Sequence, residues 1–484
     1  MEHKYLKYEK VILNYIFSFS WDVVRYSYKQ IRESLMSNNE QANHWKWTDF
    51  PLHKRPLWWI DDNKSASYHP NIESENLQTI CSREIIDNDI TIVYPLKKDK
   101  QNILGRIIGE LRYNIRIFEN GTGTFTFAFK LDDEELKSDS SDVFRKIMLS
   151  QHLATSITTY NSDNLKDEVD DNHLTNSYIE LNDIIREKYH IKTSDKKLLL
   201  GNLFSCITNH YIELSKFILD DKEAVTKQNT NKLPLKNWQN PYIVTILQVN
   251  KDSLERLVHH QEPNIIKEIG AMAVRLTLDN NIPTEDYQNI LRREYVYRSL
   301  GFYVNPKEDF DPEDSLNDEI NISKENKKHP RKIRLRNYSH SNNLFYTYGR
   351  RAGIAVTSDF DSHPAYFAIP TFVNILEILR SRWHLGTITN LLLDETFEKV
   401  AHNQNIDELV NEIFKCRVLY GLFLQNPTPY LFDSGAVTEI ADTADTVFWL
   451  SKIKVELESK LIALDRLVEV IYAKQRLQKY SVNG

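Results

Sequence analysis

Between Lys327 and Arg351 the chain carries eight Lys or Arg residues and no Asp or Glu. The whole protein has a net charge of −7, so this stretch is a local inversion of sign. Arg331, Lys332, Arg334, Arg336, Arg350 and Arg351 are suited to gripping phosphate oxygens, because a guanidinium donates a fork of hydrogen bonds that matches them. Tyr348, with Tyr338 and Tyr346, offers rings on which a base can stack. The chemistry this predicts is capture of an anionic nucleotide. The plainer alternative is a solvent-facing strand balanced by the run Glu308 to Glu319, which holds seven acidic residues.

Two carboxylate sets come next. Asp359 and Asp361, two residues before His363, have the oxygen ligands that a magnesium ion takes. They also have the pair of groups that acid–base chemistry needs. Capping of the following helix is the other use of such residues. Glu439 and Asp442, with Asp445, crowd the start of a long helical pattern. There they can hold a magnesium ion or simply complement the helix dipole. His259-His260 has no partner at metal-ligand spacing. Cys81, Cys206 and Cys416 are far apart and form no CxxC, which excludes a zinc ribbon or thioredoxin-type site and fits a reducing compartment. The signatures of a nucleophile elbow, a zinc protease and a phosphate loop are absent. No covalently bound cofactor is expected.

Composition narrows the classes. A chain of 484 residues has a prior of about three domains. Its 13 glycines and 15 prolines are about half of ordinary usage. A nucleotide site in such a chain must rely on arginines and aromatics rather than on a glycine loop. The negative net charge argues against general nucleic-acid binding. The N-terminus lacks a signal peptide's apolar core, and no run of 18 apolar residues predicts a membrane span.

The elements that would position these residues follow from periodicity. Residues 9–20 alternate and predict a half-buried strand, with Ser20 capping a helix to about Leu35. Residues 37–86 read as irregular, with Trp45, Trp47, Trp58 and Trp59 forming either a satellite cluster or a stacking platform. Ile90–Pro95, Arg106–Phe118 and Thr124–Leu131 read as strands, the last two joined by a turn at Asn120-Gly121. Helices are expected at about 142–159, 174–189 and 195–219, and a domain boundary near 240. Tyr242–Val249 reads as a strand, 251–268 as a helix, Ala271–Leu278 as a strand and 284–300 as a helix. Residues 305–329 read as a disordered insert. Ile333–Leu335, Phe345–Tyr348 and Gly353–Thr357 are expected strands. Pro370 to about Ala401 and 406–425 are expected helices. From Val437 to about Tyr480 there is neither Gly nor Pro, and apolar residues recur every three or four positions. That predicts one unbroken helix of about 40 residues, roughly 60 Å long.

The segment YGRRAGIAVTS followed by PTFVNILEILRSRWHLGTITNLLLDETF, and the stalk ADTADTVFWLSKIKVELESKLIALDRLVEVIYAKQRLQKY, resemble the last strands, first long helix and stalk of divergent bacterial CorA-like divalent-cation transporters. The resemblance covers about residues 241–484. The family's Gly-Met-Asn pore signature is absent. The fold class it implies joins an N-terminal mixed α/β region (1–240, a possible sensor), a CorA-like α/β domain (241–435) and a long stalk helix (436–484). It also implies a homopentameric funnel at the cytoplasmic face of the inner membrane, with the spans beyond residue 484. Divergent members stand beside antiviral systems, including type III CRISPR loci. They are taken to be membrane effectors opened by a nucleotide messenger, in one branch an S-adenosylmethionine–AMP conjugate. In the resembled family interfacial acidic residues on the cytoplasmic helices sense magnesium, and the resemblance implies such a role for Glu439 and Asp442, although no motif fixes these positions. Two readings from other classes stay open: a metal-dependent phosphodiesterase or nuclease using Asp359, Asp361 and His363, and a coiled-coil scaffold.

Overall fold

The structure, a computed structural model, describes residues 6–37, 48–51, 78–81, 85–151, 198–199, 242–274, 337–401, 406–425 and 439–482, with short breaks inside these ranges. It is a mixed α/β architecture. Ten strands among the described residues share one sheet, and the C-terminal helices pack on it.

In chain order the strands are β1 (Tyr8–Ser20), β2 (Thr48–Pro51), β3 (Gln78–Cys81), β4 (Ile85–Lys98), β5 (Gln101–Ile117), β6 (Thr122–Leu131), β7 (Leu198–Leu199), β8 (Tyr242–Val249), β9 (Leu344–Tyr348) and β10 (Ala352–Thr357). The helices are α1 (Tyr28–Ser37), α2 (Asp133–Leu136), α3 (Lys251–Glu255), α4 (Pro263–Val274), α5 (His363–Ala401), α6 (Ile406–Leu424) and α7 (Leu450–Val482). The spatial strand order is β2-β3-β5-β6-β1-β8-β10-β9, with β4 also on β5 and β7 on β4.

The expected boundary at 240 does not separate two sheets. β1 lies between β6 and β8, antiparallel to both. β8 then pairs in parallel with β10. The first half of the chain supplies one side of a single sheet and the second half the other, and the two meet at the β1–β8 pair.

β1 is also more buried than alternation predicts, because Val11 through Ser20 are all buried. Both its faces are covered. Ile12 and Ile16 belong to the core cluster that includes Phe372, Val373 and Leu376 of α5. On the opposite face the Tyr15 hydroxyl donates to the Ser150 carbonyl (3.2 Å), and Gln151 Nε2 donates to Thr245 Oγ1 (2.9 Å). Residues 140–151 are helical apart from short breaks, and α4 packs against β10.

Several local expectations hold, and others need correction. The Asn120-Gly121 turn joins β5 to β6, with Gly121 at φ +81°. Its Cβ, if present, would lie 2.1 Å from Val23 Cγ1, so the turn also needs glycine for space. Ser20 ends β1 instead of capping a helix. The cap is Ser27: its Oγ accepts from Gln30 N (3.3 Å), while Ser27 N donates to Gln30 Oε1 (2.9 Å), a reciprocal capping box. Residues 198–199 are strand, not helix. Residues 271–274 continue α4 instead of forming a strand. α5 starts at His363 and carries Pro370 inside it. Burial of Ala365 and Ile369 holds the turns before the proline, which lacks only one backbone donor. The predicted helices at 174–189 and 284–300, the insert 305–329, the strand at Ile333–Leu335 and the four tryptophans all lie outside the described residues.

The stalk is not one unbroken helix. Trp449 adopts φ 56°, which interrupts the pattern, and α7 runs for 33 residues from Leu450. A left-handed non-glycine residue costs about 1–2 kcal/mol. The offset is that Phe448 turns fully into the sheet core, with its ring centroid 5.6 Å from Tyr242 and 6.3 Å from Tyr348.

One buried carboxyl ties the chain start to the far side of the sheet. Glu268 of α4 is fully buried, accepting from Leu6 N (3.2 Å) and from the Tyr8 hydroxyl. Burial pushes its carboxyl up from 4.5 to about 8. The native state therefore holds a proton that the unfolded chain releases between those values. This contribution is fully present below pH 4.5 and is lost as pH rises through about 8. Glu268→Gln is expected to flatten the fall of melting temperature between pH 5 and pH 9 relative to wild type, measured by thermal denaturation. Parallel curves for the two proteins would contradict the assignment.

Candidate functional site

The residues that converge are not those singled out by charge. β5, β6 and β1 place Arg116, Thr124 and Ser18 directly beside one another in adjacent strands. Thr126 follows on β6, and Ser20 with Thr122 forms the next cross-strand pair toward the strand ends. All these residues are buried. Alternation explains the placement: in FSFS and TGTFTF the hydroxyls take one face and the aromatics the other.

α5 supplies the other wall. Its polar residues Asn374, Glu377, Ser381 and His384 recur at steps of three, four and three, which puts them on one stripe. Arg380 joins the same stripe, and all five are buried. Arg116 Nη1 meets Glu377 Oε2 at 2.8 Å and also donates to Asn374 Oδ1. The other carboxylate oxygen of Glu377 accepts from Thr124 Oγ1 and from Thr126 Oγ1 (3.2 Å). Phe118 lies under the guanidinium carbon of Arg116, 5.4 Å from ring centroid to carbon.

Burial sets the charges further along the stripe. It pushes the Arg380 guanidinium down to about 10, so the group stays charged at neutral pH, stacked 3.9 Å from the Trp383 ring centroid. Burial, then the Arg380 charge, pushes the His384 imidazole down to about 3, so it is neutral there. Ser18 Oγ, Ser381 Oγ and His384 Nε2 find no hydrogen-bond partner among the described residues.

The sequence-expected residues fall elsewhere. Arg331, Lys332, Arg334, Arg336, Arg350, Arg351 and Asp442 lie outside the described residues. Tyr348 is a core residue. It is 1 % exposed, its hydroxyl donates to the Ile440 carbonyl (2.8 Å), and its ring sits 4.9 Å from Tyr338. Tyr346 stacks on Phe372 at 4.8 Å. These rings face protein, so a strand read as a stacking platform is a packing strand here.

Asp359 and Asp361 are exposed at the entry to α5. Asp359 Oδ1 accepts from Asp361 N (2.9 Å), an Asx turn within the loop ahead of the helix. Glu439 sits in a helical turn ahead of Trp449, beside buried Ile440. Among the described residues no group of three or more His, Cys, Asp or Glu side chains is placed to hold a metal ion. Nor, among them, is any helix long and apolar enough to cross a membrane.

The buried ion pair makes a quantitative expectation. Removing one partner of such a pair costs about 3–5 kcal/mol, because the other charge is left without compensation. Glu377→Ala should lower unfolding stability by that order in urea titrations. The double variant Arg116→Met with Glu377→Leu should recover most of the loss. If the double variant is as unstable as the single, the charge balance is not what matters. No protein-family model, no curated protein and no solved structure matches this chain.

Proposed function

We propose that this chain is the ligand-sensing and transmitting module of a CorA-like membrane channel, an antiviral effector opened by an anionic nucleotide messenger. The observation that carries this reading is the two-sided character of α7. Its inner face, Leu457, Leu461 and Leu464, is buried against α5 and α6. Opposite them a second apolar row faces outward: Val455, Ile462, Val470 and Leu477 are 61 %, 53 %, 64 % and 70 % exposed. An apolar row of that length on a helix already packed on its other side fits a helix–helix interface.

The arrangement of the three helices supports the reading. α5 and α7 run parallel, since Asn390 Nδ2 meets Glu456 (2.9 Å) and Lys460 meets Asp394 (2.5 Å) at the same offset of 66 residues. That offset puts the end of α5 level with Leu467, beyond which Val468 and Ile471 of α7 still pack on the helical core. α6 runs back between them, with Arg417 paired to Asp465 and Tyr420 bonded to Glu458 (2.5 Å). On α6, Val410, Phe414 and Leu424 are exposed too, and the space beside Gly421 is open. Copies of the chain packed through this surface would form the funnel, with the free ends of α7 directed toward a membrane.

Messenger binding would act by favouring one packing of the helices over another, which requires different affinity for the two. α5 is suited to this because one helix touches both the polar stripe and α7. The test is sedimentation of the full chain. Wild type should assemble, with five copies as the expected stoichiometry. Val455→Lys with Ile462→Lys should shift it to monomer while leaving the melting temperature within a few degrees. A monomeric wild type at tens of micromolar, or an assembly indifferent to the two lysines, would remove the proposal.

A further inference from the structure

Three orphaned polar groups lie on facing walls of the same interface. Ser18 Oγ belongs to the sheet, and Ser381 Oγ and His384 Nε2 belong to α5; their residues are 7 %, 0 % and 3 % exposed. Buried polar groups ordinarily have partners, so a cluster without them points to something bound between the walls. The surroundings are dominated by hydroxyls. Ser18 pairs across with Thr124, and Ser20 with Thr122, on the face that Glu377 meets through Thr124. Ser381 and His384 stand one and two turns beyond Glu377 along α5.

We infer that this polar seam between the end of β1 and β6 and the middle of α5 binds a phosphate-sized oxyanion, the phosphate end of an anionic ligand. Hydroxyl and imidazole N–H groups donate to such an anion, and Arg380 brings a guanidinium to the same stripe. A cation would have no open acid on this face. The Glu377 carboxylate already accepts from Arg116, Thr124 and Thr126.

This deepens the proposed function and rests on it only for the ligand's regulatory meaning, since binding itself needs no assembly. The experiment is titration calorimetry and thermal shift on the full chain with inorganic phosphate, with ribose as an uncharged control. Phosphate should bind and raise the melting temperature, and ribose should do neither. Ser18→Ala with Ser381→Ala should weaken phosphate binding at least tenfold without lowering the ligand-free melting temperature, because the hydroxyls removed hold nothing within the protein. No response to phosphate overturns the inference. So does equal binding by the double variant, or an equal response to ribose. Sedimentation of the same samples separates the two ideas. Assembly without phosphate binding sinks the oxyanion site alone, and phosphate binding by a permanent monomer sinks the channel reading alone.

Discussion

The contact between Arg116 and Glu377 joins the two main layers of this protein by charge in a place without water. Arg116 comes from the sheet and Glu377 from α5, and neither is more than 1 % exposed. Taking two charges out of water is expensive, and the attraction repays it only when every remaining hydrogen-bonding position is used. That condition is nearly met through Asn374, Thr124 and Thr126. The consequence is positional. Apolar layers tolerate sliding, whereas a buried pair with this many bonds allows one register of α5 on the sheet. Everything else that α5 carries, from the stripe at Ser381 to the salt bridge at Asp394, is located by that register.

Around this fixed point the molecule divides into a mixed sheet and a three-helix layer, with α5 belonging to both. It packs on β1, β6, β8, β9 and β10 of the sheet and also on α6 and α7. A displacement at the polar stripe would therefore reach α7 through a single rigid element. α7 meets it with alternating interactions: buried leucines on one side, and charged links such as Lys460 with Asp394 along the flank.

The parts legible in the sequence were those set by short-range rules. The turn at Gly121, the strands β1, β8 and β10, and the helix α6 each follow from local periodicity or from the need for positive φ. What periodicity could not supply was which faces become covered. Ser18 looked like the wet side of a half-buried strand, and only α5, some 350 residues later, makes it interior. The stalk looked continuous because nothing in Phe448-Trp449 breaks a helix locally. The break depends on Tyr242 and Tyr348 receiving the phenylalanine ring. A signal for the site was present in the steps of three, four and three that separate Asn374, Glu377, Ser381 and His384. Polar residues at core spacing on an otherwise apolar helix mark a seam. The basic stretch drew attention instead because net charge is easier to read than facing.

The central position of β1 sets a timetable. Its residues leave the ribosome before those of its neighbour on one edge, β8, which is more than 220 residues further along the chain, with Ile16 waiting for Tyr242. At a synthesis rate of about 5–20 residues per second, that edge stays bare for roughly 11–45 s. β6 can pair with the other edge much sooner. During the interval the nascent chain presents an apolar strand, VILNYIF, with unpaired backbone groups along one side. The protein thus spends its youth as an open sheet, and its yield in cells depends on how well that edge is shielded until the second half arrives.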